Sequence, residues 1–472
     1  MKRIRPVLLA ATVATAGCAV GPAYHPQSAS ELSMPETWSV PASEAAADYT
    51  GWWETFDDPV LSGIMRQAMD DNLDLAQAVA RVRQARAALV GSRADLFPAL
   101  GVSGGYSQTD TVKSNAGGSP QGTVRNYTVG LDASYQIDLF GGIRQSIAAS
   151  KAQYEASRFD FGTVLLSVEA ETARNYILAR SYQEQLANAR ESLSIQDDNL
   201  EIAGFRVQAG LTSSADLEQA RASRAQVAAA IPQLEQQYNA AVSRLAVLVG
   251  REPGYFKPLM EKAELIPSGP DSIAAGIPAD VLRRRPDVRS TERSLAAATA
   301  RIGVAEAQLL PALTLGGNLT TASASFNGLF DVITGGFFTN LSQVIFQGGR
   351  LRAEVRSQRA AADEALAAYK AAILSALEDT ENAVVALDAA NRRVAEYRTA
   401  FEAAQNAALL ARYQYRSGLI DFTTLNVQEA ALVSARNGLV AARSDKALAL
   451  AALYVALGGG WDPAAELPSG KD

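Results

Sequence analysis

The side chains that carry most enzyme chemistry are nearly absent from this chain. Its 472 residues include one cysteine, Cys18, and one histidine, His25. A disulfide within the chain is thereby excluded. Neither a metal cluster nor a nucleophile with its base can be assembled, so no catalytic residue, metal site or cofactor is expected. Carboxylate pairs such as Glu169 and Glu171 read as solvated groups on different faces of one helix. Long apolar runs are missing as well: none approaches the roughly 18 to 20 consecutive residues that a membrane-crossing helix needs. Any membrane passage must then be made by strands closed into a barrel. Basic charge is also short. The formal charge is −7, and removal of residues 1–17 takes away Lys2, Arg3 and Arg5, leaving 40 basic against 50 acidic residues, or −10. Nucleic acid is therefore not an expected partner. What the chain does have is 48% hydrophobic and 20% charged residues, enough for two or three ordinary domains with a sizeable core.

The N-terminus reads as a processed segment. Lys2, Arg3 and Arg5 form a basic start, Val7 to Ala16 is short and apolar, and Ala16-Gly17-Cys18 puts small residues before the cysteine. Thr15-Ala16-Gly17-Cys18 resembles the bacterial lipobox, with Thr15 where that motif usually has Leu. Residues 1–17 are expected to leave as a signal peptide and Cys18 to carry thioether-linked lipid and palmitate. A free thiol behind an ordinary signal is the other reading. Ala19 rather than Asp follows the cysteine, so export to the outer membrane is the expected route.

Two halves of the chain repeat the same landmarks at a separation of about 206 to 213 positions. Phe97-Pro98-Ala99-Leu100 answers to Leu310-Pro311-Ala312-Leu313, and Phe140 to Arg144 answers to Phe346 to Arg350. Gln208-Ala209-Gly210-Leu211 answers to Arg416-Ser417-Gly418-Leu419. The boundaries that follow are a lipidated, extended N-terminal segment over 18–57, a first repeat over 58–250, a Pro- and Gly-rich linker over 251–276, a second repeat over 277–459, and a tail over 460–472. Within each repeat the apolar period changes. A helix over 72–96 is stopped by Pro98. In the strand that follows a turn later, Tyr127, Val129, Leu131, Ala133, Tyr135, Ile137 and Leu139 alternate with polar or small residues. Leu100, Val102 and Tyr106 mark its partner strand, and Leu313, Leu315 and Leu319 mark a third. Adjacent Phe337 and Phe338 leave the faces of a fourth, over 337–346, unassigned. Strands of about 10 to 13 residues fit a tilted crossing of the hydrocarbon layer, and a soluble sandwich is the competing reading. Four strands cannot close a barrel, since about eight is the minimum, so several subunits must contribute.

Helices of unusual length come next. No Gly or Pro falls between Arg350 and Ser417, and only Gly162 and Gly204 interrupt Ile143 to Gln208. At about 1.5 Å per residue each would extend roughly 100 Å. Gly210 and Gly418 end these helices, and Ser213, Ser214 or Asp421 can cap the next ones.

At this point a family resemblance covers nearly the whole mature chain. Cys18 to Tyr24, Trp52-Trp53-Glu54-Thr55-Phe56-Asp57-Asp58-Pro59, and Ile277 to Arg289 continuing into Ala300-Arg301-Ile302-Gly303 resemble the TolC-like outer-membrane efflux family, in its lipidated branch serving resistance-nodulation-division pumps. By itself the run Arg283 to Arg285 reads as a solvated patch before a helix begun by Pro286. The resemblance implies a mixed α/β membrane protein: a homotrimeric β-barrel, four strands per chain, continuous with a long periplasmic α-helical barrel. It implies no enzyme but an outer-membrane channel of a tripartite system, anchored in outer-membrane lipid and extending into the periplasm, that exports drugs or other small toxic compounds. Its partners are a periplasmic adaptor and an inner-membrane pump. Gly210, Leu211, Gly418 and Leu419 are implied at the tips that touch the adaptor, against the alternative of bare turns with a buried Leu. Asp216 and Tyr415 fall at matching gate positions, where a hydroxyl-to-carboxylate bond is expected. Ile420 replaces an arginine link, and Thr424 and Val427 replace an acidic ring, leaving Asp421 as the nearest carboxylate. A protein-secretion duct and a lipid-anchored trimeric coiled coil without a barrel remain competing functions.

Overall fold

The computed structural model describes residues 20–26, 49–110, 123–273 and 284–462. A 3-10 turn over Trp52–Phe56 precedes helices α1 (Pro59–Asp71) and α2 (Leu73–Ala94). Strands β1 (Ala99–Asp110) and β2 (Thr123–Ile137) lead into α3 (Gly142–Gln208), α4 (Ser214–Leu248) and the short α5 (Lys257–Met260). The second half repeats the order with α6 (Pro286–Ala307), β3 (Ala312–Ser323), β4 (Ile333–Ser342), α7 (Arg350–Arg416) and α8 (Phe422–Ala456). The duplication extends to lengths: α3 and α7 both have 67 residues, and α4 and α8 both have 35.

Local chemistry sets the boundaries. Asp58 caps α1 by accepting from the amides of Val60 and Leu61 at 2.9 and 3.0 Å, and Pro59 fills the first helical position. The single helix expected over 72–96 is preceded by this separate one. Asn72 divides them: its backbone is extended, and its side-chain oxygen accepts from the amides of Asp74 and Leu75. The segment expected to stay extended up to residue 57 instead closes with the 3-10 turn. Gly162 does not interrupt α3. A Cβ there would stand 2.8 Å from the Trp461 ring, so the missing side chain makes room for an indole.

The chain forms two compact units, each drawing on both repeats. The first takes its described residues from 1–27, 82–157 and 290–369. It holds a four-stranded antiparallel sheet in the order β1-β2-β3-β4. The register matches apolar with apolar: Val102 faces Leu131, Leu131 faces Leu319, and Leu313 pairs with Ile137 and Leu341. These cross-strand pairs are the stabilising contacts of a sheet. Phe337 and Phe338 stand opposite Gly317 and Gly316, which fixes their faces. The fourth strand begins earlier than expected, at Ile333, because its ladder continues to Thr321, and Val344 to Phe346 lie outside it. β2 is longer than expected, at 15 residues. Every residue of β1 and β4 is exposed, including Leu100, Val102, Phe337 and Leu341. In the same unit Tyr24 packs on Ala152, Ala296 and Ala297 and donates to Glu292 at 2.5 Å.

The second unit, from 28–81, 158–289 and 370–472, contains most of the long helices. Its core includes Leu61, Ile64, Met65, Ile177, Leu245 and Met260, each worth about 1.5–3 kcal/mol on burial. Arg180 is fully buried there and donates to Tyr176 Oη, Gln183, the Lys262 carbonyl and Glu264. Tyr176 in turn donates to Asp58 at 2.7 Å. One guanidinium thus joins α3 to the linker and, through Tyr176, to the α1 cap. The Arg283–Arg285 run is not a solvated patch in its described part: Arg285 pairs with Asp287 and Asp379, and Arg284 lies over the Tyr49 ring. Arg283 lies outside the described residues. Among the described residues no helix is long and apolar enough to cross a membrane.

Candidate functional site

Both long helices end in the same turn. Gly210 has φ of 72° and Gly418 of 73°, the left-handed conformation that favours glycine. Leu211 N–H bonds to the Arg206 carbonyl at 2.8 Å and Gly210 N–H to that of Val207 at 3.0 Å. Leu419 and Gly418 repeat the pattern on Gln414 and Tyr415, at 2.9 and 3.0 Å. These are paired Schellman closures that satisfy the last helix carbonyls. Leu211 and Leu419, the residues that follow, are 70% and 75% exposed. Neither is the buried anchor of a bare turn.

The caps of the returning helices differ. Asp421 accepts from the Thr424 amide at 2.7 Å and starts α8. The Thr424 side chain, and after it that amide bond, hold the exposed Asp421 carboxyl below its usual range. Ser213 occupies the equivalent cap of α4 but makes no side-chain bond to it. Instead the Thr212 hydroxyl donates to Asp216.

Behind the turns, Tyr415 is 2% exposed in a cluster with Ala203, Ala220, Ala411, Phe422 and Leu425. Its ring meets Phe422 edge-on at 5.9 Å. Among the described residues its hydroxyl has no partner at hydrogen-bond geometry, although the Arg206 guanidinium lies close to it. Burial pushes this hydroxyl up, the nearby Arg206 opposes that shift, and the Asp216 charge adds to it. The expected bond from Tyr415 to Asp216 is therefore not made within the chain. The carboxylate is engaged by Thr212 on its own turn, and packing against Phe422 holds the ring in the core. Thr424 and Val427 are exposed on α8.

Two features of this end were missed in the sequence. Arg206 stacks on the Tyr415 ring, 4.7 Å from its centroid, and donates to the Tyr415 carbonyl at 3.0 Å. Arg412 and the buried Glu429 form a doubly bonded ion pair across α7 and α8. Arginines are frequent on these helices, and spacing alone does not single out those that turn inward. Farther along, a cleft of about 540 Å³ has a mixed lining, with amides and hydroxyls such as Gln185, Ser192 and Gln196 beside apolar Val227, Leu234 and Val433. It has hydrogen-bonding surface but no assembled nucleophile and base.

Cys18 lies outside the described residues. Val20, two positions later, donates to the Phe140 carbonyl at 3.1 Å, at the junction of β2 and α3. Glu169, read as solvated, is instead fully buried and accepts from the Trp52 indole, while Glu171 pairs with Arg244 at the surface.

Known proteins match this arrangement over nearly its full length. The family described as "Outer membrane efflux protein" matches residues 64–251 and 277–459. Nodulation protein T of Rhizobium leguminosarum bv. trifolii is 30% identical, covering 95% of this chain and 96% of the relative. The pyoverdine export outer membrane protein OpmQ of Pseudomonas aeruginosa is 33% identical over 92% of each chain. The solved outer-membrane channel OprN superposes with a TM-score of 0.86 at 30% identity, covering 94% of this chain and all of that one. With both repeats matched and the two hairpins and four-stranded sheet in place, the chain belongs to the outer membrane efflux protein family and functions as an outer-membrane efflux channel.

Proposed function

We propose that three copies of this chain form one conduit, in which twelve strands close a barrel in the outer membrane and the paired hairpins build a periplasmic tube. The observation that carries this reading is the sheet: β1 and β4 pair on one side only and expose apolar side chains along their length. Open edges of this kind are satisfied in a bilayer by closure into a barrel. The conduit serves as the outer component of a tripartite pump, receiving drugs or other small toxic compounds through a periplasmic adaptor and an inner-membrane pump. Gly210-Leu211 and Gly418-Leu419 meet the adaptor, with the two exposed leucines as apolar contacts. Asp216, Tyr415, Asp421 and Thr424 surround the entrance. Cys18 carries lipid and anchors the start of the chain, an auxiliary to the strands.

Purified protein in planar bilayers tests the reading. A trimeric mass in detergent and discrete single-channel steps are expected. A folded monomer, or trimers without conductance, would refute the conduit and favour a lipid-anchored coiled coil.

A further inference from the structure

We propose that Asp132 gives the barrel part of the conduit a preference for cations, and that a small hydrated cation rests beside it in a cradle on the polar face of the sheet. The proposal rests on the conduit reading above, in which that face lines the water-filled lumen. Charge is scarce on the four strands. Only Asp110, Arg125 and Asp132 carry it, and the first two lie at the far end of the ladder, where Asp110 pairs with Thr123 and Arg125 with Gln108. Asp132 stands halfway between Tyr127 and Ile137, the ends of the alternating apolar set of β2. Its register partners are Gly101 on β1 and Asn318 on β3, and successive residues of a strand point to opposite faces. The carboxylate therefore leaves the sheet on the side away from Val102, Leu131 and Leu319.

Apart from Val124 and Phe338, every other residue on that side of the described strands is small or bears a hydroxyl or amide, and none is basic. A carboxylate turned to lipid at this depth is costly, so water is its medium. On the same face, the next residue along β2 is Gly130, set between Ser103 and Thr320. A Cβ at Gly130 would stand 2.8 Å from Ser103 Oγ, 3.7 Å from Asp132 Oδ2 and 3.9 Å from Thr320 Oγ1. Three oxygens from three adjacent strands thus surround a space that a glycine leaves open. Asn318 donates to the Thr320 hydroxyl at 3.4 Å, and a hydroxyl oxygen has two acceptor lone pairs, so Thr320 can still face a cation. Oxygen ligands of this kind suit hard cations. One full charge with two neutral hydroxyls makes a weak site, and a site on a conduction path has to release its ion. In three copies the carboxylates share one level of the lumen, where an anion meets only like charge.

Reversal potentials of the full-length protein in planar bilayers, measured across a potassium chloride gradient, test the assignment. The parent should favour potassium. Asp132→Asn should lower the ratio of potassium to chloride permeability roughly fivefold, the Boltzmann factor for one unit charge met at about 4 Å in water, and Asp132→Lys should reverse the preference. Gly130→Val fills the cradle while keeping the carboxylate, and should lower the ratio as well. Asp132→Asn combined with Ser103→Asp returns a carboxylate to the cradle from the neighbouring strand and should restore the parent's value. Detergent mass and melting temperature serve as the check that each variant is assembled. If Asp132→Lys or Gly130→Val does not assemble, Asp132→Asn and its rescue by Ser103→Asp carry the test. An unselective parent, or an assembled Asp132→Asn with the parent's ratio, would overturn the proposal while leaving the channel intact. A Gly130→Val variant with the full preference, or a failed rescue, would overturn the cradle as the place where the cation rests. Absence of conductance in the parent and every variant would overturn the conduit reading and this proposal together.

Discussion

The indole N–H of Trp52 donates to a carboxyl oxygen of Glu169 at 3.1 Å, inside the second unit, and the other carboxyl oxygen has no partner among the described residues. Burial is the dominant influence and pushes this carboxyl from an ordinary value of 4.5 to about 8, with the indole bond opposing it. Trp52 also stacks on Tyr454 of α8 at 5.5 Å, so the contact fastens the segment before α1 to two long helices.

The folded state therefore holds a proton on Glu169 that the unfolded chain releases. The associated stability is fully present below pH 4.5, declines as pH rises toward about 8, and is gone above that. At about 1.36 kcal/mol per unit the loss amounts to roughly 3–5 kcal/mol. Melting temperature measured in detergent across this window should fall with pH in the parent. Glu169→Gln, which cannot ionise, should flatten the curve, and an unchanged slope would show that another group sets it.

Arg180→Ala should destabilise the second unit by about 2–4 kcal/mol, because Tyr176, Gln183 and Glu264 lose a shared buried donor. Limited proteolysis reads this out at the linker, which Arg180 holds through the Lys262 carbonyl. Faster cleavage between residues 251 and 273 is the expected result.

Replacing Cys18 by Ala should abolish fatty-acid labelling in cells. Part of the transport activity should persist, since in the proposed conduit the strands rather than the lipid make the membrane crossing. Persistent labelling would place the modification elsewhere.

The family resemblance implies an acidic ring at the positions of Thr424 and Val427, and both residues are exposed on α8. Conductance of the parent should then respond weakly to divalent cations. Thr424→Asp combined with Val427→Asp should create a ring that binds them and makes millimolar calcium inhibitory. Equal calcium sensitivity in parent and variant would remove these positions from the constriction.

Local sequence was enough for the elements because their causes are local. Alternation of Tyr127, Val129 and Leu131 produces β2, and the absence of Gly and Pro from Arg350 to Arg416 lets α7 run unbroken. Gly210 and Gly418 stop both long helices at the left-handed turns their positions require. The repeat was legible for the same reason, since equal spacing of these signals yields equal helices of 67 and 35 residues. Pairing across the fold was not legible. Glu169 and Glu171 look alike in sequence, yet one is sealed beneath Trp52 and the other meets Arg244 at the surface, because helix rotation relative to the turn at 52–56 separates them. Likewise Arg206 is one of many arginines until α7 brings Tyr415 beside it, and Tyr415 packs on Arg206 and Phe422 without a bond to Asp216 inside the chain. Sequence periodicity decides which face of an element is apolar. Which residue of another element fills the space opposite is set only when distant segments pack, as Arg206 against Tyr415 shows at the tips of this protein.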